Sequence, residues 1–230
     1  MTSKIEFILK KAQRLIQQKK ITPAETLLLD EYEEWAYHPL INLALGEIFY
    51  LKGDATACLQ YLEIAYKHGK NIPSVVVSFA EKLRLNNEFT QARGVLKIAL
   101  LNSPCDKLLL ESYANFCLTD QNRLESLKFN YRLLLLFPGD STTHANIAEA
   151  YAALDNYEKS LEHQNIAIKY DTGSQVRLNR AITLLTLKKY QEGWAEYENR
   201  LGDDITSSPR RRLRVPRWNR QSLQNKTILV

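Results

Sequence analysis

The sequence predicts an all-α chain built as a solenoid of six helix-turn-helix units, on three observations. A small residue returns at nearly constant spacing, at Ala12, Gly46, Ala80, Ala114, Ala148 and Ala181, with intervals of 34, 34, 34, 34 and 33 residues. A second small series keeps step with it: Ala24, Cys58, Ala92, Ser126, Ser160 and Gly193. Apolar residues recur at helical spacing, as in Leu59, Leu62, Ala65 and Tyr66, rather than alternating as in a strand. A period of this length is the signature of stacked repeats.

Units beginning at Ile5, Pro39, Pro73, Lys107, Ser141 and Ser174 place the two small series at positions 8 and 20, over an array of residues 5–201. Two helices approach closely only where side chains are small, so these positions belong at the crossing of helix A with helix B in each unit. Position 11, occupied by Leu15, Phe49, Leu83, Cys117, Tyr151 and Leu184, fills the groove beside the crossing. Position 27 reads Glu31, Ala65, Ala99, Leu133, Ala167 and Arg200, so the first and last units match least well, as terminal repeats do.

Boundary residues support the same phase in order along the chain. In the first unit, Thr22-Pro23 is expected to open helix B as N-cap and first helical residue. Asp30, Glu31, Glu33 and Glu34 then form an acidic patch at the end of that helix and in the following turn. Pro39 and Pro73 begin helix A of the second and third units, where a missing N–H costs nothing. Gly53 lies in the turn of the second unit, and Asp54 and Asn156 precede later B helices, where a short polar side chain accepts from free backbone N–H groups. Trp35 is expected to pack at the first junction between units, and Trp194 to cover the end of the array.

The spacing, with Tyr, Leu and Phe set between the small residues, resembles the tetratricopeptide repeat. That resemblance implies a right-handed α-solenoid whose arrays bind other proteins. Two features depart from the family: its Trp at position 4 is absent throughout, and its Pro at position 32 occurs only as Pro104 and Pro138.

Charge is unevenly placed. Residues 1–202 hold 24 Lys or Arg against 24 Asp or Glu, and residues 203–230 hold 7 against 2, which accounts for the formal net charge of +5. The basic stretch Pro209–Arg220 has two prolines and no helical period, so residues 202–222 are expected to form a Pro/Arg linker. Its arginines, Arg210, Arg211, Arg212, Arg214 and Arg217, with Trp218, suit either a solvated connector or an anionic partner whose hold would weaken with salt. Without a basic groove in the neutral array, a nucleic-acid partner is not expected.

Three cysteines, two of them (Cys58 and Cys117) at packing positions, suit buried thiols in a reducing compartment. Met1 to Leu15 has no signal-peptide core, and the longest apolar run, Leu133 to Phe137, is too short to span a bilayer. A cytoplasmic location is the expectation. His38, His68, His144 and His163 are expected in different repeats, with no metal-ligand spacing to each other or to the cysteines. There is no glycine-rich phosphate loop and no nucleophile held by a base, so neither cofactor, metal nor catalytic residue is expected. The chain is expected to bind rather than to catalyse.

The tail carries a second resemblance. Tyr190-Gln-Glu-Gly193-Trp194-Ala-Glu196-Tyr197-Glu198-Asn-Arg200, then Pro216-Arg-Trp218, then Lys226-Thr-Ile228-Leu229-Val230, is similar to the junction in bacterial repeat proteins that continue into a glycosyltransferase-like domain. It implies that residues 223–230 start a following domain, the alternative being a capping tail, and that the chain is a piece of a larger enzyme.

In the tetratricopeptide family, helix A lines the concave face, with positions 2, 5, 6, 9, 12 and 13 pointing inward. By that rule the peptide-binding surface comprises Glu47, Tyr50, Glu81, Arg84, Asn115, Asn146, Glu149 and Asn179. Asn146 and Asn179, at position 6, resemble two rungs of the asparagine ladder in O-linked N-acetylglucosamine transferases, whose amides pair with a peptide backbone. Glu47, Glu81 and Glu149 suit a basic peptide, or else make salt bridges within the array. The expected function is a protein-interaction scaffold; the alternative is the acceptor-recognition region of a glycosyltransferase-like enzyme.

Overall fold

The computed structural model describes residues 2–170 and 173–201 together with Ser222 and Gln224. Among these residues all regular structure is helical. The first unit is α1 (Thr2–Gln17) and α2 (Ile21–Asp30), followed by a single turn, α3 (Tyr32–Trp35). The second is α4 (Pro39–Leu51) and α5 (Ala55–His68), and the third α6 (Pro73–Leu85) and α7 (Phe89–Asn102). Then come α8 (Lys107–Thr119) and α9 (Arg123–Leu136), α10 (Ser141–Ala152) and α11 (Tyr157–Tyr170), and α12 (Ser174–Thr186) and α13 (Tyr190–Tyr197), with a closing 3-10 turn at Glu198–Leu201. The linker expected at 202–222 and the segment 223–230 lie outside the described residues, Ser222 and Gln224 apart.

Helix starts follow local chemistry. Pro39 and Pro73 are the first residues of α4 and α6. Where the fourth and fifth units lack that proline, Asp106 and Asp140 cap the A helices by accepting from Leu109 N at 2.9 Å and Thr143 N at 2.8 Å. Asp54 and Asn156 do the same for B helices, accepting from Ala57 N at 2.9 Å and Lys159 N at 3.2 Å. The expected cap at Thr22-Pro23 is corrected: α2 begins at Ile21, its N-cap is Lys20, and no side chain caps it. Both residues sit inside the first turn, where a proline still gives up no bond.

Every turn from A to B is closed in one way. Position 15 takes a positive φ in all six units: Lys19, Gly53, Asn87, Gln121, Asp155 and Lys188. The next N–H then bonds back to the carbonyl of position 11, as in Asp54 N to Phe49 O at 3.0 Å and Asn122 N to Cys117 O at 2.8 Å. This left-handed cap satisfies carbonyls that the helix end would leave open. Only the second unit places a glycine there.

Both small series are buried throughout, which sets the phase of the array. At Gly46 an added Cβ would lie 2.7 Å from Leu62 Cγ, so the α4 backbone packs directly against the Leu62 side chain of α5. A continuous core runs through the second, third and fourth units from Leu62 through Phe79 and Leu96 to Tyr113 and Leu133, and a second core joins the first two units. Each unit thus buries its apolar face against its neighbour. Cys58 and Cys117 are buried free thiols, and burial pushes the Cys117 thiol up to about 11. Trp35 packs into the first junction, edge-on to His38. Trp194, expected to cover the end of the array, is 59% exposed and meets Tyr197 of its own helix.

Successive A helices from α1 to α10 pack directly on one another, while successive B helices make no comparable contact. The stack therefore curves toward the A helices, and their outward-facing residues line its inner side.

Candidate functional site

Curvature toward the A helices brings position 6 and position 9 of neighbouring units onto one surface. Position 6 is small or polar, with Ala44, Ser78, Ser112 and Asn146 half-buried, so the floor of the groove stays low. Position 9 stands above it, with Glu47, Glu81, Asn115 and Glu149 exposed.

The groove deepens into a cavity of about 360 Å³ between α6 and α8, floored by Val77, Leu96 and Phe116. Glu81, Arg84, Ser112, Asn115 and Thr119 form its rim. Beside it Asn146 Nδ2 donates to Asn115 Oδ1 at 3.0 Å, linking α10 to α8. Asn179, expected with Asn146 as a ladder rung, accepts from Gln175 Nε2 within its own helix at 2.9 Å, whereas the rung at Asn146 joins the preceding unit. The spacing of one position in successive units did not reveal that rung, because it runs diagonally from position 6 to position 9.

The carboxylates differ in their surroundings. Arg84 donates to both oxygens of Glu81, at 2.9 and 2.7 Å, and holds that carboxyl below its ordinary range. Desolvation in the groove raises Glu47, and the Lys82 charge opposes the rise. Lys82 Nζ stands 3.1 Å from the centre of the Tyr50 ring, in the seat of a cation–π contact. Among the described residues Glu149 has no ion-pair partner. Lys82 sits at position 10, outside the family's inward-pointing set, so the repeat phase gave no reason to pick it out.

A second cluster was missed altogether. His144 and His163, expected in different repeats, belong to the same unit, where α10 and α11 bring their Nδ1 atoms to 3.0 Å. Tyr131 of α9 bonds both Tyr151 Oη at 3.0 Å and His163 Nε2 at 3.3 Å. The ring centres of the two histidines are 5.2 Å apart, so both nitrogens lie near the line between the rings. That is the arrangement of one N–H donating to the other's lone pair, whereas a shared metal ion would require both lone pairs to converge from an angle. Among the described residues no group of three or more His, Cys, Asp or Glu is placed to hold a metal ion, and no helix is long and apolar enough to cross a membrane.

No family model matches the chain. It is 28% identical over 152 residues to protein FlbA of Caulobacter vibrioides, a match covering 64% of this chain and 26% of that protein. It is 25% identical over 181 residues to the TPR repeat-containing protein YpiA of Bacillus subtilis, covering 77% of this chain and 41% of YpiA. The chain thus spans between about a quarter and two-fifths of the length of these curated relatives. Among solved structures, PilF of Pseudomonas aeruginosa superposes with a TM-score of 0.73 at 10% identity, over 89% of this chain and 92% of PilF. YrrB, described as a TPR protein with an unusual peptide-binding site, superposes with a TM-score of 0.58 at 16% identity, over 79% of this chain and 90% of YrrB.

The chain has the tetratricopeptide-repeat fold. Within this tetratricopeptide array, the inner-face rule places Glu47, Tyr50, Glu81, Arg84, Asn115, Asn146 and Glu149 on consecutive A helices from α4 to α10. Asn179 falls on α12, beyond the Asn115–Asn146 rung. The arginine tail and the Pro216-Arg-Trp218 segment, which carry the anionic-partner and glycosyltransferase-junction readings, lie outside the described residues.

Proposed function

We propose that this chain is a docking module that holds a segment of a partner protein along the inner side of its tetratricopeptide array. The observation that carries this reading is the shape of the groove: small residues at position 6 keep its floor low, and a cavity opens between α6 and α8 with amide and hydroxyl groups at its rim. Such a surface offers backbone pairing and a side-chain seat, which is what an extended peptide uses. The solved YrrB structure, with a peptide-binding site on the same fold, supports it. Glu47, Tyr50, Glu81, Arg84, Asn115, Asn146, Glu149 and Asn179 are the contact residues of this reading.

Photo-crosslinking tests it. A benzophenone side chain is placed at the exposed Thr119 on the cavity rim, or at the exposed Lys97 on a B helix, and each protein is irradiated in native cell extract. Crosslinking of one partner from position 119 and not from position 97 is the expected outcome. Capture from position 97 alone would move the docking surface to the opposite side of the array.

A further inference from the structure

Charge in the middle of the groove is paired within the protein. Arg84 forks onto both oxygens of Glu81, and Lys82 already occupies the Tyr50 ring face near Glu47. An incoming lysine or arginine would have to open the Glu81–Arg84 fork or displace Lys82, exchanging one exposed ion pair for another with little net gain. The groups left unpaired between α6 and α8 are neutral, and Glu149 on α10 is an inner-face carboxylate without an ion pair among the described residues.

Two neutral features lie side by side. The Asn115–Asn146 bond uses one donor and one acceptor, and the two amides retain both N–H and carbonyl capacity beyond it. That remainder matches the C=O and N–H of an extended main chain. Next to it, Val77, Leu96 and Phe116 floor the 360 Å³ cavity, near the lower end of ligand-sized cavities. An apolar side chain entering there would remove apolar surface from water, while a charged one would be desolvated over an apolar floor.

We propose that the groove selects an extended, uncharged peptide segment, held by its main chain on the Asn115–Asn146 pair with one apolar side chain seated between α6 and α8. This rests on the docking function above and names the kind of segment docked. It also departs from the basic peptide that the glutamates suggest in sequence, because two of the three have a cation beside them in the fold.

The test is selection of a phage-displayed random peptide library against the full chain, followed by affinity measurement on the enriched peptides at low and moderate salt. The expected consensus has one apolar position without an excess of charged residues, and affinities agree within about twofold between the two salts. Ser112→Phe, which fills the cavity, and Asn146→Ala, which removes the rung, each weaken binding by roughly tenfold at unchanged melting temperature. If Ser112→Phe melts early, Asn146→Ala carries the comparison alone. A consensus rich in Lys or Arg, with affinity falling steeply with salt, overturns the uncharged segment and leaves the docking function standing. A selection that yields no peptide weakened by either groove variant overturns both.

Discussion

At position 15 the backbone enters the left-handed region in every unit, yet five of the six residues there carry a side chain. Such a residue is strained relative to glycine, and the turn holds it because the following N–H closes the helix end. Gln121→Gly is expected to raise stability by about 0.5–1 kcal/mol, and Gly53→Val to lower it by about 1–2 kcal/mol. Thermal melts of the two variants check both signs; a fall for Gln121→Gly would show that unfolded-chain entropy outweighs the strain. The opposite constraint acts at Gly46, where Leu62 Cγ lies 2.7 Å from the place a Cβ would take. Gly46→Leu should overpack the crossing and cost roughly 1–3 kcal/mol, and an unchanged melting temperature would count against the repeat phase.

Between elements, polar contacts tie one helix to the next. Tyr113, fully buried on α8, donates to Glu125 of α9 at 2.8 Å, and Asn122 also donates to that carboxylate at 2.8 Å. In the fifth unit the His144–His163 pair joins α10 to α11 under Tyr131 and Tyr151. Burial lowers the pKa of His163, and the His144 ring adds to the shift, with Lys159 acting in the same sense and Glu162 against it. Since the fold favours neutral His163, its contribution is complete above about pH 6.5, the ordinary histidine value. That contribution is lost as pH falls below 6.5 through the depressed folded value. Melting temperature should therefore fall between pH 7 and pH 5, and His163→Gln should flatten part of the slope. An identical slope in the variant would assign the loss elsewhere; burial depresses His38 in the same direction, which is why the flattening is partial.

For the whole molecule, stability is the sum of unit and junction terms, so damage stays local before it spreads. Ala114 is completely buried at the crossing of α8 with α9, and Ala114→Asp sets a charge there. Hydrogen exchange should speed up first in α6 to α11, with α1, α2 and α13 changing least. Uniform loss of protection along the chain would mean a single cooperative unit instead. The inner surface is a property of this scale too: it exists because A helices stack on A helices and the array bends toward them.

The helix-turn-helix repeat, its phase and its crossing residues were legible in sequence, because close approach demands small side chains and a fixed period puts them at countable positions. Pro39, Pro73 and Asp54 were legible as helix starts for a local reason, the unpaired N–H groups of a first turn. Asp106 and Asp140 carry the same signal, a short acidic residue one position before the first helical turn. What the tertiary structure alone decided concerns pairs from different helices: the Asn115–Asn146 rung, the seat of Lys82 on Tyr50, the cavity between α6 and α8, and the His144–His163 bond. Repeat spacing names the face a residue occupies. Which side chain meets which across a junction depends on the offset and curvature of the stack, and those emerge only when neighbouring units have packed.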